Sequence, residues 1–191
     1  MARYSLSALG ADKPGIVAAV SGALVDLGCN LEDSTMTILQ GHFAILLVVA
    51  TPATVGSDEL EQALDPVAAM FDLTFAVRLM SEDHAPVAAA ASDMAPAPIP
   101  ETGDPWTVSV HGADRAGIVH AVTTALAEAG GNVVDLATHL VGEKDSPVYV
   151  MTIRALLPPG RDGEVAAERV LSAARELGVH CNVHRDEADL L

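Results

Sequence analysis

GADKPGIVAAVSGALVDLGCNLED, residues 10–33, is written a second time as GADRAGIVHAVTTALAEAGGNVVD, residues 112–135, with no gap between the two alignments. Identity is kept at Gly10, Ala11, Asp12, Gly15, Ile16, Val17, Ala19, Val20, Ala23, Leu24, Gly28, Asn30 and Asp33. Self-similarity of this length marks two copies of one folding unit. Each copy reads as strand, tight turn, helix, tight turn, strand. Tyr4 to Leu9 and Thr107 to His111 alternate with the period of a strand that buries one face. Ile16, Val20, Leu24 and Leu27 fall on one helical stripe, as do Ile118, Val122, Leu126 and Ala129. Asp12 and Asp114 stand where a helix N-cap is wanted, at the positive end of the dipole. Pro14 suits a first turn, and Gly28 and Gly130 end the helices in the left-handed conformation.

Outward from that stretch, Asp33 to Leu39 and His42 to Ala50 predict a hairpin turning at Gln40-Gly41. A helix follows from Ser57 or Asp58 to about Phe71, with Leu60, Leu64, Val67 and Phe71 on one side; Pro66 inside it predicts a kink or a break. Leu73 to Met80 alternates as a last strand. In the second copy, Asn132 to Val141 and Val148 to Ala155 are strands joined by a polar loop, Glu143 to Pro147. A helix from about Gly163 to Leu177 follows the Pro158-Pro159-Gly160 turn, and Val179 to Arg185 is the closing strand.

The order βαββαβ, met twice, predicts an α+β protein of two ferredoxin-like sandwiches in tandem, each with four antiparallel strands and two helices on one face. The first domain spans residues 1–83 and the second 105–191, whose acidic end, Asp186 to Leu191, is expected to be loose. Residues 84–104, with seven alanines and four prolines, read as a linker. In polyproline geometry at ~3.1 Å per residue it is long enough for the copies to pair within a chain or swap between chains. The strand from Phe43 to Val49 is apolar on both sides. That predicts a sheet face covered by pairing between copies or chains, and with it a homodimer.

Composition narrows the function. A formal charge of −16, from 26 acidic and 10 basic residues, opposes binding to nucleic acid or anionic lipid. Cys29 and Cys181 form no CxxC pair, which speaks against a disulfide framework or a zinc site. MARYSLSALG lacks the apolar core of a signal peptide, and the run from Phe43 to Ala50 is too short to span a bilayer, so the expected location is cytoplasmic. No cofactor is expected. His180, Asn182 and His184 alternate opposite Val179, Cys181 and Val183, and His111 belongs on the neighbouring strand. Convergent imidazoles are one reading of that pattern, and solvated or interface histidines the preferred one, so no metal is expected.

Residues 8–47, ALGADKPGIVAAVSGALVDLGCNLEDSTMTILQGHFAILL, resemble the first of two ACT domains in the glycine cleavage system transcriptional repressor family. The GADxPGIV turn, the GCNxEDS junction and the apolar hairpin carry the resemblance; the second copy has Ala116 where the first has Pro14. The resemblance implies a non-catalytic regulatory protein that senses a small amino acid, glycine or serine in front. It implies action on a DNA-binding regulator through protein contact, without touching DNA. It also places the ligand between modules, where the turn before the first helix of one faces the second strand of its neighbour. On this sequence those turns are Ala11, Asp12, Lys13, Pro14, Gly15 and Ile16 in the first copy, and Asp114, Arg115, Ala116, Gly117 and Ile118 in the second. The facing strands contribute Asn30, Leu31 and Asp33, and Asn132, Val133 and Asp135.

The chemistry fits a zwitterion. Backbone N–H groups at a helix N-terminus suit its carboxylate, and Gly15 and Gly117 admit a close approach. Asn30, Asn132, Asp33 and Asp135 supply acceptors for its ammonium. Three rivals remain. A ligand-free ACT-like adaptor needs only a protein partner. A small acylphosphatase-like enzyme needs an arginine in the first turn, which only Arg115 approaches, and no nucleophile beside a base is visible. An RNA-binding sheet needs exposed aromatics, and the chain has one Trp, two Tyr and three Phe.

Overall fold

The computed structural model describes residues 2–80, 103–142 and 147–186. The first copy comprises β1 (Ala2–Ala11), α1 (Ile16–Asp26), β2 (Asn30–Leu39), β3 (His42–Thr51), α2 (Ser57–Phe71) and β4 (Leu73–Leu79). The second repeats the order as β5 (Asp104–Ala113), α3 (Ile118–Glu128), β6 (Asn132–Val141), β7 (Val148–Leu157), α4 (Gly163–Glu176) and β8 (His180–Arg185). Asp104 pairs with Leu157, so the residue expected to end the linker opens a strand instead. The rest of the linker to residue 102, the loop residues 143–146 and the tail 187–191 lie outside the described residues.

Gln40 and Gly41 have φ 51° and 79°, the paired positive values that let a two-residue turn match the twist of a hairpin. Helix α2 runs through Pro66 without a break, which removes one of the two outcomes expected there, a kink or a break. Leu60 and Leu64 before the proline and Val67 after it are all buried, which holds both halves of the helix down and offsets the lost backbone hydrogen bond. Helices α1 and α3 start differently from expectation as well. Gly15 and Gly117 are the cap residues, both in the left-handed region at φ 92°, and no side chain caps either helix. That glycine turn separates Asp12 and Asp114 from the helix ends they were expected to cap.

All eight strands form one antiparallel sheet in the order β4-β1-β3-β2-β6-β7-β5-β8. The copies therefore pair within one chain, and they do so edge to edge. Ser34 meets Thr138, Thr35 meets Ala137 and Met36 meets Leu136 across β2 and β6, with a local two-fold passing through the middle pair. The helices share one face of the sheet, α1 packing on α2 and α3, and α3 on α4. Leu6, Val20, Leu24, Leu47 and Leu60 of the first copy and Val108, Val122, Leu136, Met151 and Val170 of the second belong to one continuous buried core. Each such side chain contributes about 1.5–3 kcal/mol on leaving water.

Edge-to-edge pairing corrects the expectation that one copy would cover the other's bare sheet face. It widens the sheet and leaves that face open, with Leu46 at 49 % and Leu9 at 59 % exposure. The middle of the open face is built mostly of small side chains. Its central cross-strand row reads Ala76, Ser7, Leu46, Thr35, Ala137, Thr152, Ser109 and Asn182. On a neighbouring row His139 faces Val150, Val150 faces His111, and His111 faces His180. The last two rings stack with centroids 5.2 Å apart. His184 lies instead 3.6 Å from Asp186, and no three His, Cys, Asp or Glu side chains converge among the described residues.

Candidate functional site

The local two-fold brings the two glycine turns to the joint between the copies. There each turn meets the end of the other copy's first helix and the start of its second strand. Two narrow clefts result. One is lined by Leu24, Asn30, Leu31, Arg115, Gly117 and Ile118, together with Ser21, His120 and Tyr149. The other is lined by Asp12, Lys13, Gly15, Ile16, Asn132 and Val133, together with Phe43 and Thr123. Each has room of about 10 Å³, about that of one water.

Two reciprocal hydrogen bonds bind the joint. Asn30 Nδ2 donates to Asp114 Oδ2 at 2.8 Å, and Asn132 Nδ2 donates to Asp12 Oδ2 at 2.7 Å. Burial pushes both carboxyls above the ordinary aspartate value, while the amide donors pull the other way. Glu32 adds a repulsive push on Asp114. A carboxylate so placed is stabilised by any further donor or cation brought to it. Asp114 Oδ1 has no hydrogen-bond partner among the described residues although that atom is buried. Helices α1 and α3 begin beside the clefts, with Gly15 and Ile16 lining one and Gly117 and Ile118 the other, and the Ile16 N–H donates to Lys13 O at 3.4 Å.

The expected site residues divide. Asn30, Leu31, Arg115, Gly117 and Ile118 come together in one cleft, and Asp12, Lys13, Gly15, Ile16, Asn132 and Val133 in the other. Ala11, Pro14 and Ala116 shape the turns without lining a cleft. Asp33 and Asp135 were expected to receive the ammonium, but they stand on the opposite, open face of the sheet. Asp33 pairs there with His139 Nδ1 at 3.0 Å, and Arg154 lies beside Asp135. A bulge in each strand, between Leu31 and Asp33 and between Val133 and Asp135, sets that facing. Asp12 is the carboxylate that lines a cleft; Asp114 lines neither and reaches the first only through the hydrogen bond from Asn30.

Lys13 and Arg115 have structural duties too. Lys13 Nζ donates to Phe71 O at 3.1 Å and Arg115 donates to Leu177 O at 2.9 Å, so each covers the carbonyl end of the second helix in its own copy. An acylphosphatase-like role for Arg115 loses its free guanidinium by that contact. Ser21, His120, Tyr149, Phe43 and Thr123 line the clefts without having been singled out in the sequence. His120 and Tyr149 come from positions where the two copies differ, and only their comparison with Ala18 and Phe43 marks them.

Residues 5–78 and, separately, residues 106–169 match the ACT domain, and the chain belongs to the ACT-domain family as a tandem of two such modules. It is 38 % identical over 65 residues to the UPF0237 protein MK1213 of Methanopyrus kandleri, covering 72 % of that protein and 34 % of this chain. It is also 38 % identical over 45 residues to the glycine cleavage system transcriptional repressor of Escherichia coli, a match spanning 24 % of each chain. Among solved structures, aspartate kinase from Synechocystis shares the fold at a TM-score of 0.51 and 18 % identity, over 90 % of this chain and 26 % of that one. No helix among the described residues is long and apolar enough to cross a membrane.

Proposed function

We propose that this chain is a non-catalytic regulatory protein that senses a small amino acid, glycine or serine, in the clefts between its two ACT domains. The carrying observation is the pair of half-buried aspartates, each held by an asparagine of the other copy and each beside the glycine-capped start of a helix. An amino acid's ammonium suits the carboxylate and its carboxylate suits the helix N–H groups. Ligand bound there touches both copies and so favours one arrangement of the joint. That arrangement is passed on by contact with a protein partner, a DNA-binding regulator, since a charge of −16 opposes direct contact with DNA. Two chains pair through the open sheet face, where Leu46 and its small neighbours are bare; a mass of two chains in solution is expected, and a strictly monomeric mass at micromolar concentration refutes the pairing.

A thermal-shift screen against the twenty amino acids tests the sensing. Ligand at 100 times its dissociation constant adds about 2.7 kcal/mol. A selective shift with glycine or serine is expected. No shift with any of them favours the ligand-free adaptor.

A further inference from the structure

The second copy's half of the open sheet face carries a pair of imidazoles that the amino-acid reading does not use. His111 of β5 and His180 of β8 are directly opposed across the two strands, and both are exposed. Their rings lie within 17° of parallel with centroids 5.2 Å apart. Neither ring has a hydrogen-bond or ion-pair partner among the described residues, whereas His139 is held by Asp33, His184 by Asp186 and His120 by Ala18 O. The adjoining positions on that face hold Ser109, Asn182 and Val150, none of them charged. Strand β8 is the outermost of the sheet, so the far side of His180 is open.

A neutral imidazole offers one nitrogen lone pair to a metal ion. Two such nitrogens that bind one ion at ~2.0–2.1 Å stand roughly 3 Å apart. Opposed strand positions hold their β-carbons about 4.5–5.5 Å apart, and a histidine ring turns broadly about its Cβ–Cγ bond. The two rings can therefore reach one ion by side-chain rotation alone. The sheet fixes both backbones beforehand, which keeps the cost of ordering the ligands small.

We propose that His111 and His180 form a bidentate site for one divalent, imidazole-preferring transition-metal ion, Cu²⁺ ahead of Ni²⁺ and Zn²⁺. Water completes the coordination. Mg²⁺ and Ca²⁺, which take oxygen ligands, are refused. The site is smaller than the three-imidazole group that the alternation of His180 and His184 beside His111 admitted, because His184 turns to Asp186. It stands apart from the clefts and does not depend on amino-acid sensing.

Calorimetric titration of the full chain with Cu²⁺, Ni²⁺ and Mg²⁺ tests the site. One Cu²⁺ per chain is expected, with Ni²⁺ weaker and Mg²⁺ without effect. Losing a ligand costs at least as much as losing its outer-shell support, so His111→Ala and His180→Ala are each expected to weaken Cu²⁺ binding at least about tenfold. Both side chains are exposed, so each variant is expected to keep the circular dichroism of the parent. His184→Ala is expected to bind as the parent does. The electron paramagnetic resonance of bound Cu²⁺ is expected to show coupling to two imidazole nitrogens in the parent and fewer in either variant. Absence of Cu²⁺ binding overturns the proposal, as does parent affinity in both folded variants. A loss in His184→Ala equal to theirs overturns it too.

Discussion

His120 of α3 lies directly over Gly22 of α1, at a place where a β-carbon on residue 22 would stand 2.9 Å from Cε1 and 3.2 Å from Nδ1. The ring is held there by Ala18 O, so it cannot withdraw freely. Helix propensity alone favours alanine over glycine at residue 22 by about 1 kcal/mol. Overpacking against an anchored ring costs about 1–3 kcal/mol and prevails. Gly22→Ala is therefore expected to lower the melting temperature, and the same change in a His120→Ala background to raise it. A double-mutant cycle by thermal denaturation measures the coupling, and additive effects of the two substitutions contradict the contact.

The buried hydroxyl pair at the joint makes a second prediction. Ser34→Ala removes one partner of the buried Thr138 hydroxyl, which keeps the Tyr149 hydroxyl beside it, at a cost of about 0.5–1.5 kcal/mol. Replacing both by apolar residues, Ser34→Ala with Thr138→Val, also takes that neighbour from Tyr149 and is expected to cost more than Ser34→Ala alone. Urea unfolding of the parent and the two variants checks the order of stabilities.

Stability should fall as pH rises. Burial raises the folded carboxyls of Asp12, Asp114 and Asp135 above their ordinary value of 3.8. The folded chain then holds those protons more tightly than the unfolded one. Their stabilising effect is complete below the ordinary aspartate value and is lost as pH rises through the raised folded values. Self-repulsion at −16 acts in the same sense. A higher melting temperature near pH 5 than near pH 8 is expected, with a shallower decline in the Asp12→Asn, Asp114→Asn double variant. A parallel decline in that variant assigns the effect to the remaining carboxylates.

Gly15 owes its identity to its backbone. An ideal β-carbon there meets nothing nearer than Phe71 Cζ at 3.9 Å, so space is available, yet φ is +92°. Gly15→Ala is expected to cost about 1–2 kcal/mol through that conformation alone. Gly15→Val, with a larger branched side chain, carries the same backbone strain. Ligand affinity and melting temperature must be read together in any variant at this position. A Gly15→Ala protein as stable as the parent shows that the turn relaxes.

The repeat made both halves and their element order legible, because a 3.6-residue stripe after a two-residue alternation is a local signal. So was the turn at Gln40-Gly41, whose positive φ values are written in the residue types. The edge-to-edge joint was not. Ser34, Thr35 and Met36 look like any strand segment, and nothing in their order says that Leu136, Ala137 and Thr138 will continue the sheet. Asp12 was misread for the same reason: its partner Asn132 arrives from the other copy, and a local rule supplied a cap in its place. Asp33 and Asp135 were assigned to the clefts because the two bulges that turn them to the other face have no signature in residue type.

A pair of identical subunits can meet along β-strand edges only while their concentration sustains it, and any mutation in one appears in both. Here β2 and β6 belong to a single polypeptide. Their association is unimolecular, so dilution does not part the halves. Inheritance is also uncoupled: Phe43 and Tyr149, or Ala18 and His120, have been free to diverge while the strands between them kept their register.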